Sequence, residues 1–292
     1  MIDIAASHRQ RLGCSMIAQA LGVSAHRTPY QLWEVYTGRE PWPELGDDLR
    51  VALGEPMENV LRPFVEKKLG GKLRRDTKEY FHPRLSLVAH VDFRLSTLAQ
   101  MLMDLGITTD QRPVVDMKTS LGFGAKFRFG ADGSDEVDSD VLLQMQGYTL
   151  LTGADLALVA ALVPGPEIKI YPIRADPELH RMIEEGVEKF WWHVTTDTPP
   201  DITTLEDAIR RWPNSIPNSL SADDQTLLSI AALREVKAVL AEQKKIADQY
   251  ELEIKRYMAD AEALLDESGK PLCTWKSQGD RRVFRVKKEK AQ

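Results

Sequence analysis

The stretch Val114-Val115-Asp116-Met117-Lys118 decides the reading of this chain. It is short, apolar at its start and β-branched, so it predicts a buried strand, extended here to residues 113–119. Strand side chains alternate, so Asp116 and Lys118 share one face and Val115 and Met117 the other. A carboxylate and an ammonium on a buried strand are costly unless they serve each other or a ligand. Taken alone the D-x-K tripeptide is weak, and a surface ion pair is its default meaning.

The neighbourhood strengthens it. The preceding segment, Leu85 to Phe93, predicts a strand with Asp92 at its end among apolar residues. Another strand is expected within residues 72–81. Upstream, Val60, Leu61, Phe64, Val65 and Leu69 recur at helical spacing. That helix should begin near Glu55-Pro56, which puts Glu58 in its first turn, where glutamate also serves as a cap or a complement to the dipole. Downstream, residues 141–151 predict a helix on which Gln144 and Tyr148, four apart, share a face. Segments 156–163 and 167–173 read as two strands about the turn Pro164-Gly165-Pro166, and 177–194 as a helix. Between residues 120 and 139 lies a glycine-rich polar stretch with no clear period.

Composition sets the frame. The chain has 292 residues, 43% hydrophobic and 28% charged, the balance of a globular protein. No apolar run reaches the ~18–20 residues of a membrane span. The start lacks a basic-then-apolar signal pattern, so a cytoplasmic location is expected, and no membrane partner. Two distant cysteines, Cys14 and Cys273, exclude a disulfide framework and a cysteine-rich zinc site. The net charge is −6, but Lys276 to Lys290 holds seven basic and two acidic residues, so the remainder carries −11. A basic end on an acidic body suggests an anionic partner there, or a solubilising tail.

The threonine- and proline-rich run 195–204 reads as a linker, which divides the chain into 1–194, 195–204 and 205–292. Beyond it, Leu233, Val236, Leu240, Gln243, Ala247, Tyr250, Ile254, Tyr257, Ala261 and Leu264 alternate by three and four, a coiled-coil-like arm that needs a partner helix. The end predicts a β-hairpin. Trp191 and Trp192 are expected in a core or an interface.

In order, then, the chain offers a helix with Glu58, a strand with Asp92, a strand with Asp116-x-Lys118, and a helix with Gln144. That order resembles the PD-(D/E)XK nuclease superfamily, and within it the YqaJ-like viral recombinases, the lambda-exonuclease-like family. Arg9-x-Arg11-Leu12-Gly13-Cys14-Ser15-Met16-Ile17-Ala18 resembles the family's N-terminal segment. Gly54-x-x-x-Glu58, Val91-Asp92, Asp116-Met117-Lys118-Thr119 and Gln144-Met145-Gln146-Gly147-Tyr148 resemble its successive motifs. The likeness spans about residues 8–194. Asp116 stands where the family usually has glutamate, and His90-Val91 where serine-proline is common.

The resemblance implies an α/β (α+β) nuclease core, a mixed central sheet flanked by helices. It implies a Mg²⁺-dependent DNA exonuclease of a phage or prophage recombination system, with Mn²⁺ able to substitute. Digestion would run 5′-to-3′ from duplex DNA ends and leave 3′ overhangs for a single-strand annealing protein. Glu58, Asp92, Asp116, Lys118 and Gln144 would be catalytic. Asp92, Asp116, Glu58 and the Met117 carbonyl would hold metal, since magnesium prefers oxygen ligands. Lys118 would orient or deprotonate the attacking water, or stabilise the anionic phosphate. Arg9, Arg11, Ser15, Tyr148, Lys126 and Arg128 would bind DNA or its 5′-phosphate. The family's ring-forming members suggest a homo-oligomer, taken as a trimer. Two other readings remain: another nuclease of the superfamily, an endonuclease or repair nuclease, or an inactive DNA-binding module of the same fold.

Overall fold

The computed structural model describes residues 8–43, 52–96, 99–109, 112–120, 122 and 128–287. The chain divides into two compact units, Met1–Asn214 and Ser215–Gln292.

The first unit starts with β1 (Leu12–Gly13), a 3-10 turn (Cys14–Met16), α1 (Ile17–Ala20) and α2 (Pro29–Tyr36). Proline at the first position of α2 and a capping box between Thr28 and Gln31 explain where α2 begins. Next comes α3 (Gly54–Leu69), with Pro56 in its first turn and Gly70 closing it at φ 64°, a conformation that glycine adopts without strain. Starting at Gly54, α3 carries Glu58 in its second turn rather than its first.

The strands β2 (Leu73–Arg75), β3 (Glu79–Phe81), β4 (Leu87–His90) and β5 (Phe93–Leu95) follow. Each of the two strands expected in this region is instead a pair. β3 and β4 form a three-stranded sheet with β1, in the order β1-β4-β3, while β2 and β5 join a five-stranded mixed sheet. The chain therefore changes sheets twice, once at residues 76–78 and again at residues 91–92. Asp92 lies in the second break, not at the end of one continuous strand.

After α4 (Gln100–Asp104), β6 (Val114–Thr119) enters the centre of the larger sheet, whose order is β2-β5-β6-β7-β8 with β7 (Leu156–Val163) and β8 (Glu167–Arg174). β6 runs parallel to β7 and antiparallel to β5. The intervening α5 (Ser139–Thr152) makes the crossover, capped by Asp138 and closed by Gly153 in the left-handed region. Two apolar cores flank the larger sheet. Val114, Ala157, Val159 and Tyr171 pack beneath α5, and α6 (Pro177–Thr195) joins the same core through Ile183, Val187 and Phe190. Val115, Met117, Leu158 and Ile170 pack against α3.

The short helix α7 (Leu205–Arg211) belongs to the first unit. Its Asp207 is fully buried and accepts hydrogen bonds from Thr28 Oγ1 at 2.9 Å and Gln31 Nε2 at 3.0 Å. The compact unit thus continues beyond residues 195–204, because one buried carboxylate ties α7 to the capping box of α2.

The second unit holds α8 (Asp224–Met258), then β9 (Ala263–Leu265), β10 (Pro271–Gln278) and β11 (Arg281–Val286). The predicted hairpin is β10–β11, and β9 adds a third antiparallel strand. The helix stops at Met258, so Ala261 and Leu264 of the heptad pattern fall outside it. Among the described residues, no helix is long and apolar enough to cross a membrane.

Candidate active site

β6 delivers Asp116 and Lys118 on one face as the alternation requires, and their side chains meet, with Lys118 Nζ 2.9 Å from Asp116 Oδ2. Asp116 is 2% exposed and Lys118 27%. The break before β5 brings Asp92 beside them: the Met117 amide donates to Asp92 Oδ2 at 3.1 Å. From α5, Gln144 Nε2 donates to Asp116 Oδ1 at 3.3 Å and to the Tyr148 hydroxyl at 2.8 Å. Three segments distant in sequence, the break at Asp92, β6 and α5, thus meet at one cluster.

Burial and mutual charge shift the proton affinities of the cluster. Burial first, then the neighbouring Asp116 and Glu58 carboxylates, push the Asp92 carboxyl well above the ordinary range. Burial draws the Lys118 ammonium down, but Asp116 and Asp92 outweigh it and the net shift is upward, so Lys118 is charged at neutral pH. Burial and the two aspartates also hold the Tyr148 hydroxyl protonated.

Glu58 faces the same site from α3, but Arg75 of β2 donates to its Oε2 at 3.0 Å. Nothing in the local sequence announces that ion pair, because it depends on β2 lying at the sheet edge beside α3. Glu58, Lys118 and Arg128 line one cavity of about 600 Å³, together with Met57, Met117 and Ser120. Arg128 is itself paired with Asp138.

The donor set is oxygen-only, which suits a hard divalent cation such as magnesium rather than a thiolate-loving metal. Asp116 Oδ2 is buried and accepts no well-directed hydrogen bond, Lys118 touching it only as an ion pair. Asp92 and Asp116 repel one another, and the under-satisfied Asp116 Oδ2 is therefore an oxygen that such a cation would neutralise. Among the described residues, no three Asp, Glu, His or Cys side chains converge tightly enough to form a finished metal cage. Arg75 on Glu58 and Lys118 on Asp116 supply the positive charge instead.

Other predicted residues are placed as follows. Tyr148 is 5% exposed, buried under Gln144. Arg9 and Ser15 are exposed, and the Arg11 guanidinium lies 4.8 Å above the Phe81 ring. The turn bearing Ser15 packs on α5, where a Cβ on Gly147 would lie 2.8 Å from Cys14 Sγ. Lys126 lies outside the described residues. His90 pairs with Glu79 at 2.8 Å. Trp191 donates to the Ser86 carbonyl at 2.8 Å, and Trp192 is half exposed.

A mixed sheet that brings two aspartates and a lysine together beneath a glutamine from the crossover helix defines the PD-(D/E)XK class. The sequence profile of the YqaJ-like viral recombinase domain matches residues 5–155, more than half of the chain. The chain belongs to that family. It is 23% identical over 263 residues to the uncharacterized protein YqaJ of Bacillus subtilis, a match spanning 87% of this chain and 77% of that one. Solved structures give remote similarities. An alkaline exonuclease from Laribacter hongkongensis has a TM-score of 0.47 at 14% identity, covering 66% of this chain and 91% of that one. A phage-related exonuclease from Haemophilus somnus 129PT has a TM-score of 0.40 at 14% identity, covering 66% and 99%.

Proposed function

We propose that this chain is a Mg²⁺-dependent DNA exonuclease that hydrolyses linear duplex DNA from its ends, 5′-to-3′, leaving 3′ single-stranded overhangs. The observation that carries the reading is the buried Asp92–Asp116–Lys118 cluster under Gln144, in a chain of the YqaJ-like family. Asp92 and Asp116 would hold the cation, with Glu58 and the Met117 carbonyl as further ligands. When bound, a divalent cation neutralises charge on the phosphate and lowers the pKa of a bound water.

The protein's own groups then have separate tasks. Lys118, 2.9 Å from Asp116, would orient or deprotonate the attacking water, or stabilise the anionic phosphate. Gln144, whose amide spans Asp116 and Tyr148, would hold the Asp116 carboxylate in one orientation. Arg9, Arg11, Ser15, Lys126 and Arg128 would contact DNA, with Arg9, Arg11 and Ser15 at a 5′-phosphate, whereas Tyr148, expected from the sequence to join them, is buried and would instead hold the Gln144 amide in place. A trimeric ring, a single-strand annealing partner and a bacterial cytoplasm complete the expected setting.

The test uses purified protein with Mg²⁺ and linear duplex labelled at either the 5′ or the 3′ end, beside a closed circle. Release of the 5′ label as mononucleotides with the circle intact supports the reading. Cutting of the circle points to an endonuclease, and no cleavage with Mg²⁺ or Mn²⁺ to a binding module.

A further inference from the structure

The terminal sheet sorts its cations by face. Across β10 and β11, Trp275 pairs with Phe284 and Ser277 with Arg282, whereas Thr274 pairs with Arg285 and Gln278 with Arg281. Directly opposed residues share a face, and so do alternate residues along a strand. Cys273, Trp275, Phe284 and Arg282 therefore form one face, which packs on the end of α8 through Cys273 and Met258, both buried. Cations on this side are fully engaged. Arg282 lies 3.7 Å from the centre of the Trp275 ring and donates to the carbonyls of Ala259, Ala261 and Trp275. Lys255 of α8 sits 5.3 Å from Trp275 and pairs with Glu251.

The opposite face carries Lys276, Arg281, Arg285 and, by the same alternation, Lys287, all exposed. Among the described residues, Glu262 lies 3.9 Å from Lys276, Asp280 of the connecting turn directly precedes Arg281, and Arg285 donates to the Gln278 amide oxygen at 3.3 Å. No strand residue of this face is acidic. Like charges gathered on one small face repel, and the chain as a whole has net charge −6. Residues two apart on a strand are ~6.8 Å apart, so Arg281 to Lys287 spans roughly 20 Å. That is a flat linear array, longer than a lone phosphate or nucleotide and suited to a polyanion. Trp275 and Phe284, the aromatic residues that could anchor in a lipid interface, belong to the inner face.

We infer that this outer face binds the phosphodiester backbone of DNA, a contact separate from the nuclease cluster and outside the family match. The inference rests on the reading of the chain as a DNA-processing enzyme. Such a surface would hold the substrate by charge alone, without sequence preference.

The experiment measures binding of the full chain to labelled duplex and labelled single-stranded DNA in EDTA across a salt series, beside phosphatidylserine vesicles. Compared are wild type, K276Q/R281Q/R285Q and the charge-preserving K276R/R281K/R285K. The neutral variant should bind the preferred DNA about tenfold or more weakly, with a log–log salt slope shallower by about 2–3. The charge-preserving variant should bind as wild type, and turnover at saturating DNA should stay unchanged. Whichever DNA form shows the loss identifies the strand held. Equal affinity and slope in wild type and neutral variant, with end cleavage intact, overturns this inference and leaves the nuclease reading standing. A charge-dependent loss on vesicles but not on DNA also overturns it. A wild type that neither binds nor cleaves DNA overturns both.

Discussion

Arg75 Nη2 lies 3.0 Å from Glu58 Oε2, so the carboxylate that α3 offers to the Asp92–Asp116 cluster is already held by a cation from β2. The guanidinium also lies 4.9 Å from the Phe93 ring, which fixes its position. Removing it should release Glu58 toward Asp92 and Asp116. Arg75→Gln is therefore expected to lower the Mg²⁺ concentration for half-maximal cleavage severalfold. Titration of activity with metal checks this, and an unchanged or higher midpoint would remove Glu58 from the metal set.

Asp116→Asn keeps the shape of the side chain and abolishes its charge. It should reduce cleavage by at least about 10²–10³-fold, the scale on which preorganised electrostatic groups act. Lys118→Ala should do the same. Circular dichroism should remain that of wild type in both, and activity surviving either change would move the chemistry elsewhere.

Divalent cations should stabilise the folded chain, because Asp92 and Asp116 repel one another without one. At a concentration ~100 times the dissociation constant, the gain is about 2.7 kcal/mol, visible as a rise in Tm. Asp92→Asn should lose most of that rise. An equal rise in variant and wild type would show that the cation binds at another place.

Gly147 sits where α5 presses on the N-terminal turn, and an added Cβ would come within 2.6 Å of Ile17 Cδ1 and 2.8 Å of Cys14 Sγ. Gly147→Ala should cost about 1–3 kcal/mol through overpacking. It should also lower kcat, since the same helix aims Gln144 at Asp116. Urea unfolding and single-turnover cleavage measure the two effects, and full stability would show that the contact relaxes freely.

Asp207 should govern acid stability of the first unit. Burial alone would raise its pKa, but hydrogen bonds from Thr203, Thr28 and Thr204 outweigh burial and hold it below the ordinary value. A depressed folded pKa contributes stability that is present above the unfolded pKa, near ~3.9, and is lost as pH falls through the lower folded value. Asp207→Ala should cost about 2 kcal/mol at neutral pH by orphaning its donors. The deficit relative to wild type should shrink below pH ~4, and denaturant melts across that range would detect a deficit that does not.

Local periodicity in the sequence was enough to set the faces of single elements. Alternation placed Asp116 and Lys118 together on β6, and helical spacing placed Gln144 and Tyr148 together on α5. These relations are carried by residues two or four apart, which share a backbone element and need no distant partner. The order of acidic, basic and amide residues added the family. Tertiary structure alone decided the rest. Asp92 reaches the cluster because the chain leaves one sheet for another at that point, and Arg75 reaches Glu58 because β2 borders α3. Asp207 joins α7 to the first unit by bonding a helix cap 179 residues away. No local pattern encodes such contacts. They follow from strand register and from the requirement that a buried charge find its partners wherever the fold brings them.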